Sequence, residues 1–139
     1  MYIKGFLIFF QKITYLNRKI LHKINEILEP FDLKSSDWRV FVYLSHCQYS
    51  TLAPICEFYN MDKAMLSRIV SKLKKQAYIE FLQAEDKREK IITLSPRGKE
   101  IYFDANVRIR QYEKEILDIL KQDDQDKLLK LLDYINEKI

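Results

Sequence analysis

The sequence predicts a mainly α protein with one small β-hairpin, on three observations. Glycine (2) and proline (3) are scarce in 139 residues, which leaves little turn chemistry and pushes most of the chain into long regular elements. Apolar residues recur at spacings of three and four over most of the length, the period of one helical face. Two β-branched and aromatic runs, "YIEFLQ" and "KIITL", flank the charged segment "AEDKRE", which is the pattern of a hairpin with a charged tip. With 32% charged and 47% hydrophobic residues, the composition is that of one folded domain and not of a disordered segment.

Each element has its own justification. Residues 6 to 29 read as a long helix with Ile13, Leu16, Ile20, Leu21, Ile24, Ile27 and Leu28 on one stripe, closed by Pro30. A second helix follows over "KSSDWRVFVYLSH", where Ser35 or Ser36 supplies the N-cap and Trp38, Phe41, Val42 and Leu44 the buried face. "STLAPICEFYN" is a short helix capped by Ser50 or Thr51, with Pro54 tolerated in its first turn. The next short helix starts after Asn60 or Asp62, and a carboxylate at that end also suits the helix dipole. Beyond the hairpin, Pro96 opens a very long helix to about residue 121. Asp123 or Asp124 then caps a last helix carrying Leu128, Leu129, Leu131, Leu132, Ile135 and Ile139.

The helix that begins at Lys63 is two-sided. Met65, Leu66, Ile69, Val70 and Leu73 fill one side; Lys63, Ala64, Ser67, Arg68, Ser71, Lys74 and Lys75 fill the other, with Lys72 at its edge. Residues 60 to 99 carry ten Lys/Arg against five acids, a net of +5, while the whole chain is +4, so the positive charge is concentrated here. Two short helices, a tight turn and a hairpin make a winged helix-turn-helix. In that arrangement the second helix packs one face on its own domain and offers the other to the major groove of DNA. Lysine and arginine neutralise phosphates, and the short Ala64 and Ser67 allow close approach to base edges.

"WRVFVYLS", "TLAPICEFYNMDKAMLSRIVSKL" and "DKREKIITLSPRGKEIY" resemble the successive signatures of MarR-type transcriptional regulators, most closely over about residues 33 to 103. Asp86, Arg88, Ile92, Leu94, Ser95 and Gly98 match the wing signature of that family. The resemblance implies one domain over residues 1–139, with a DNA-binding lobe at about 35–95 and long dimerisation helices at 1–34 and 96–139. It further implies a homodimer on double-stranded DNA at a pseudo-palindromic operator, usually a repressor, released by a small aromatic effector or by oxidation. Two cysteines make no disulfide framework at this length, so a cytoplasmic setting is expected. Carried over residue by residue, the DNA-binding positions are Lys63, Ala64, Ser67, Arg68, Lys72 and Lys74 on the helix, with Asp86, Lys87 and Arg88 on the wing. Arg88 matches the arginine that enters the minor groove, and Asp86 matches the aspartate that orients it. Phe81 and Leu82 depart from the pattern, since family members commonly carry a basic residue after "IE".

Other readings compete. The basic face is also what a solvated surface, a protein-interaction module or a nonspecific architectural DNA-binding protein presents. Ala64 and Ser67 among the cations favour base reading. His46, Cys47 and Cys56 lack metal-ligand spacing, so neither a metal nor another cofactor is expected, and both cysteines read as small core residues. Tyr15, His22, Trp38, Arg39 and Tyr43 read as core, or as lining of the effector crevice that the resemblance implies; no ligand residue is singled out. No phosphate-cradling glycine loop, nucleophile elbow or paired-histidine motif points to an enzyme. The apolar run "FLIFF" is broken by Gln11 and Lys12, too early for a leader or a membrane span.

Overall fold

The computed structural model describes residues 8–83 and 88–139, and the chain divides into two units, Met1–Ala105 and Asn106–Ile139. The first unit contains α1 (Phe9–Leu28), a 3-10 turn (Glu29–Phe31), α2 (Ser35–Cys47), β1 (Tyr49–Ser50), α3 (Leu52–Tyr59), α4 (Lys63–Lys75), β2 (Ile79–Leu82), β3 (Ile91–Leu94) and the start of α5 (Pro96–Leu117). The second contains the rest of α5 and then α6 (Gln122–Lys138). The expected class, mainly helical with a hairpin wing, is the observed one.

The strands form an antiparallel sheet in the order β1-β3-β2, with Tyr49 opposite Thr93, Ser50 opposite Ile92, and Phe81 also opposite Ile92. Against it, α2, α3 and α4 bury one side each. Phe41, Leu44, Ile55, Leu66, Val70, Leu73, Ile79 and Ile92 have no more than 2% of their surface exposed. β1 was not anticipated. Two residues are too short to show a period, and what orders them is the pairing to β3, reinforced where Thr93 Oγ1 donates to the Gln48 carbonyl at 2.6 Å.

Several helix ends differ from expectation. Neither Ser35 nor Ser36 caps α2: Lys34 holds the cap position, and its N–H donates to Asp37 Oδ2 at 2.9 Å, so the carboxylate of the first turn satisfies the orphan backbone group. Thr51 stands at the cap of α3 but makes no side-chain cap bond, and Ser50 lies in β1. α5 stops at Leu117, four residues early, because Ile119 and Leu120 turn back in three-residue steps onto the carbonyls of Ile116 and Leu117. α6 begins at Gln122 after Lys121, with Asp123 and Asp124 in its first turn, where they favour the dipole instead of capping it. At the other end of the chain, α1 begins at Phe9; residues 6 and 7 of the expected helix lie outside the described residues.

The Ser95–Gly98 part of the wing signature is a joint. Ser95 N–H donates to the Tyr78 carbonyl at 3.0 Å, its hydroxyl donates to the Ala77 carbonyl at 2.6 Å, and Gly98 N–H donates to that same hydroxyl oxygen at 3.0 Å. A Cβ on Gly98 would lie 2.0 Å from the Tyr78 carbonyl oxygen, so only glycine admits the contact between α5 and the turn before β2. Among the described residues, no helix is long and apolar enough to cross a membrane.

Candidate nucleic-acid interface

Asn60 ends α3 in the left-handed region (φ 50°), a conformation asparagine tolerates better than most residues, and Met61 N–H closes the turn on the Cys56 carbonyl at 2.8 Å. Asp62 then caps α4, accepting from Ala64 N–H at 3.2 Å, as one of the two expected caps. The turn between α3 and α4 is therefore three residues long, and its geometry sets where α4 leaves the lobe.

α4 keeps its two sides. Leu66, Ile69, Val70 and Leu73 are buried, while Lys63, Ala64, Arg68, Ser71, Lys74 and Lys75 are exposed and Ser67 is half-buried. Met65, expected on the buried side, is half-buried at its margin. Lys63, Ala64, Ser67 and Arg68 thus share one open face in the first half of the helix. Arg88 comes to this region from the wing. A cavity of about 530 Å³ is lined by Thr51, Leu52 and Cys56 on one side and by Lys63, Arg88 and Glu89 on the other. Asp86 and Lys87 lie outside the described residues, and so does the expected pairing of Asp86 with Arg88.

Lys72 lies at the edge of the open face, beside Ser67 and Arg68, and is the α4 cation with an ion-pair partner among the described residues. Its Nζ lies 2.7 Å from Oδ2 of Asp37, whose side chain is 4% exposed, so this ammonium is committed to the interior edge of the lobe. Lys74 reaches the other way, to 5.2 Å from the ring centroid of Phe81, and Lys90 Nζ lies 5.5 Å from the same centroid. Phe81, half exposed on β2, therefore gathers two cations at the root of the wing, where the sequence showed only a missing basic residue. Lys90 was not singled out beforehand. Lys90 precedes β3 and meets the Phe81 ring only across the hairpin, so no local spacing marks it.

The aromatic residues considered for an effector crevice are dispersed. Trp38 is core, stacked on Phe41 and Tyr102 with centroids 5.6 and 5.2 Å away. Arg39 and Tyr43 belong to a cluster with Phe58 and Tyr59, in which the Tyr59 hydroxyl donates to the Arg39 carbonyl at 3.0 Å. Tyr15 and His22 sit on α1, the latter 3.1 Å from Glu26. Neither cysteine is the core residue expected, Cys47 being exposed and Cys56 half-buried. Partial desolvation raises the Cys47 thiol above its ordinary value, and its Sγ donates to the Tyr43 carbonyl at 3.3 Å.

A two-sided basic helix set by a three-residue turn, followed by a wing that brings further cations to its flank, defines a winged helix-turn-helix protein of the DNA-binding class. The chain is 30% identical over 124 residues to an uncharacterised HTH-type transcriptional regulator, YwoH, of Bacillus subtilis (strain 168), covering 81% of this chain and 90% of that one. Its fold is similar to a MarR transcriptional regulator from Methanosarcina mazei Go1, at a TM-score of 0.84, 18% identity, and 92% and 86% of the two chains. It is also similar to a mutant MarR from E. coli complexed with operator DNA (0.81, 22%, 90% and 91%) and to Staphylococcus aureus MarR in complex with salicylate and kanamycin (0.83, 22%, 92% and 87%). No family model matches the chain. The chain belongs to the HTH-type transcriptional regulators, and its fold is that of the MarR regulators. It is a DNA-binding regulator and not an enzyme.

Proposed function

We propose that this regulator acts as a cytoplasmic homodimer that binds a pseudo-palindromic operator and represses transcription until a small aromatic ligand or an oxidant releases it. The observation that carries the DNA-reading part is the open face of α4, where Lys63 and Arg68 flank the short Ala64 and Ser67. Cations give affinity for any duplex, and the short side chains leave room for base edges beneath them. Lys63, Ala64, Ser67 and Arg68 enter the major groove, Lys74 contacts phosphate, and Arg88, with Lys87 and Asp86 beside it in the chain, serves the minor groove. The lobe at about 35–95 reads DNA, and the helices at 1–34 and 96–139 join two copies. Support for the dimer comes from apolar side chains left uncovered on them: Ile13 and Leu16 on α1, and Leu129, Leu131 and Leu132 on α6, are all exposed in the single chain. The E. coli relative's complex with operator DNA and the S. aureus relative's with salicylate support the operator and the ligand by likeness.

Selection of bound sequences from a random duplex pool tests the reading. The expected product is a two-fold symmetric motif with half-sites about 34–36 Å apart. A pool that yields no enriched sequence overturns base reading in favour of nonspecific binding, and an asymmetric single half-site overturns the dimer.

A further inference from the structure

Asp37 and Ser95 are the buried polar side chains of the core among the described residues. Ser95 is explained by the joint to α5, whereas Asp37 is a carboxylate with two donors, Lys34 N–H at 2.9 Å and Lys72 Nζ at 2.7 Å. Its lysine partner is drawn from the middle of α4, one turn beyond Arg68. Confinement does not force the pairing. Lys72 lines two open grooves, one with Ser67, Arg68 and Lys75 and the other with His22, Glu26 and Lys34, and its side chain is 37% exposed. By contrast Lys63, Arg68, Lys74 and Lys75 have no carboxylate partner among the described residues.

We propose that Asp37 is a positioning residue for base reading. It withholds Lys72 from the DNA backbone and uses it to pin the centre of α4 to the start of α2. The inference rests on α4 being the DNA-reading helix. Were Lys72 to turn to a phosphate, it would exchange one ion pair for another in solvent and strand a desolvated carboxylate behind it, which is the costly half of such an exchange. The ammonium therefore stays with Asp37 when DNA binds. Its work is mechanical: α4 is held at one tilt and depth relative to the lobe, so that Ala64, Ser67 and Arg68 meet the same base pairs each time.

Counting the counterions released on binding separates a tether from a phosphate contact, because each phosphate-bound cation adds about 0.9 to the slope of log affinity against log salt. The probes are the best duplex from the random pool and a scrambled duplex of equal length, titrated with the full chain over a range of salt. Lys72→Met is expected to keep the wild-type slope while lowering the ratio of selected to scrambled affinity by at least about fivefold, the cost of one misread base pair. Lys74→Met, the comparison, lowers the slope by about 0.9 and leaves the ratio unchanged. Asp37→Asn, whose amide oxygen still accepts from Lys34, frees Lys72 to reach phosphate and raises the slope by about 0.9 while the ratio falls. The double variant Asp37→Asn with Lys72→Met leaves no buried charge unpaired, so it folds even where a single variant does not. It combines the wild-type slope with the low ratio. A slope reduced by about 0.9 in Lys72→Met with an intact ratio, or a double variant with the wild-type ratio, overturns the proposal and makes Lys72 an ordinary phosphate contact or a bystander. Wild-type protein that binds neither duplex instead overturns the DNA reading on which the proposal rests.

Discussion

The winged helix-turn-helix lobe and the terminal helices use the same amphipathic pattern to different ends. In the lobe, the apolar side of each helix is spent: Phe41, Ile55, Leu66 and Leu73 are each fully buried, with 0% of their surface exposed. α6 carries as strong a stripe, yet none of its residues is buried, and Leu131 and Tyr134 have more than half their surface open. α1 grades between the two, from exposed Ile13 and Leu16 to fully buried Leu28. A periodic apolar stripe thus says that a helix has something to bury and is silent on what covers it. In the lobe the same chain supplies the cover, whereas the apolar side chains of α6 stay open in the single chain.

Substitutions separate the two regions, beginning with the largest effect. Phe41→Ala empties the centre of the lobe and is expected to cost about 3–5 kcal/mol in chemical denaturation, with no special effect on assembly beyond the loss of folded protein. Gly98→Ala drives a Cβ into a carbonyl that cannot move aside and is expected to cost about 1–3 kcal/mol, at the upper end because the obstacle is backbone. A variant within 0.5 kcal/mol of wild type, on the order of experimental scatter for a neutral surface change, would show that the joint between α5 and the lobe yields freely.

Smaller effects probe the open face. Arg68→Ala is expected to leave the denaturation midpoint in place and to cost about 1–3 kcal/mol of binding, with preference relaxed at one base position. A loss equal for all sequences would move Arg68 to the phosphates. Asp62→Ala removes the α4 cap and is expected to cost about 1 kcal/mol of stability, with binding weakened only through that loss. At the far end of the scale, Leu129→Ser with Leu132→Ser is expected to change single-chain stability by less than about 0.5 kcal/mol while shifting the mass seen in light scattering from two chains towards one. If that pair instead unfolds the chain at every concentration, α6 is covered by its own chain and the contrast between the regions fails.

Much of this was legible in the residues. The period of α1 to α6, the two faces of α4 and the hairpin around "AEDKRE" all follow from local spacing, and Asp62 as a cap follows from its place before the first apolar turn. Phe81 was visible only as an absence of positive charge, because its role depends on Lys74 from another element. The cap of α2 was misplaced on Ser35 or Ser36 for a related reason: Asp37 serves the helix end and a distant lysine at once, and the second partner holds its carboxylate in place.

By itself the sequence determined what each helix and the two hairpin strands would be, where the positive charge would gather, and which family's signatures would run along it. Those properties are set within a few residues, by backbone period, cap chemistry and composition. Only the tertiary structure decided that Tyr49 and Ser50 form a strand, that Gly98 makes room for the Tyr78 carbonyl, and that Lys72, alike in kind to its neighbours on α4, is tied to Asp37 thirty-five residues away. Such partners are far apart in the chain and meet because packing the shared core leaves them nowhere else to be. A lysine's charge is written at its own position, but the acceptor that claims it is chosen by the fold.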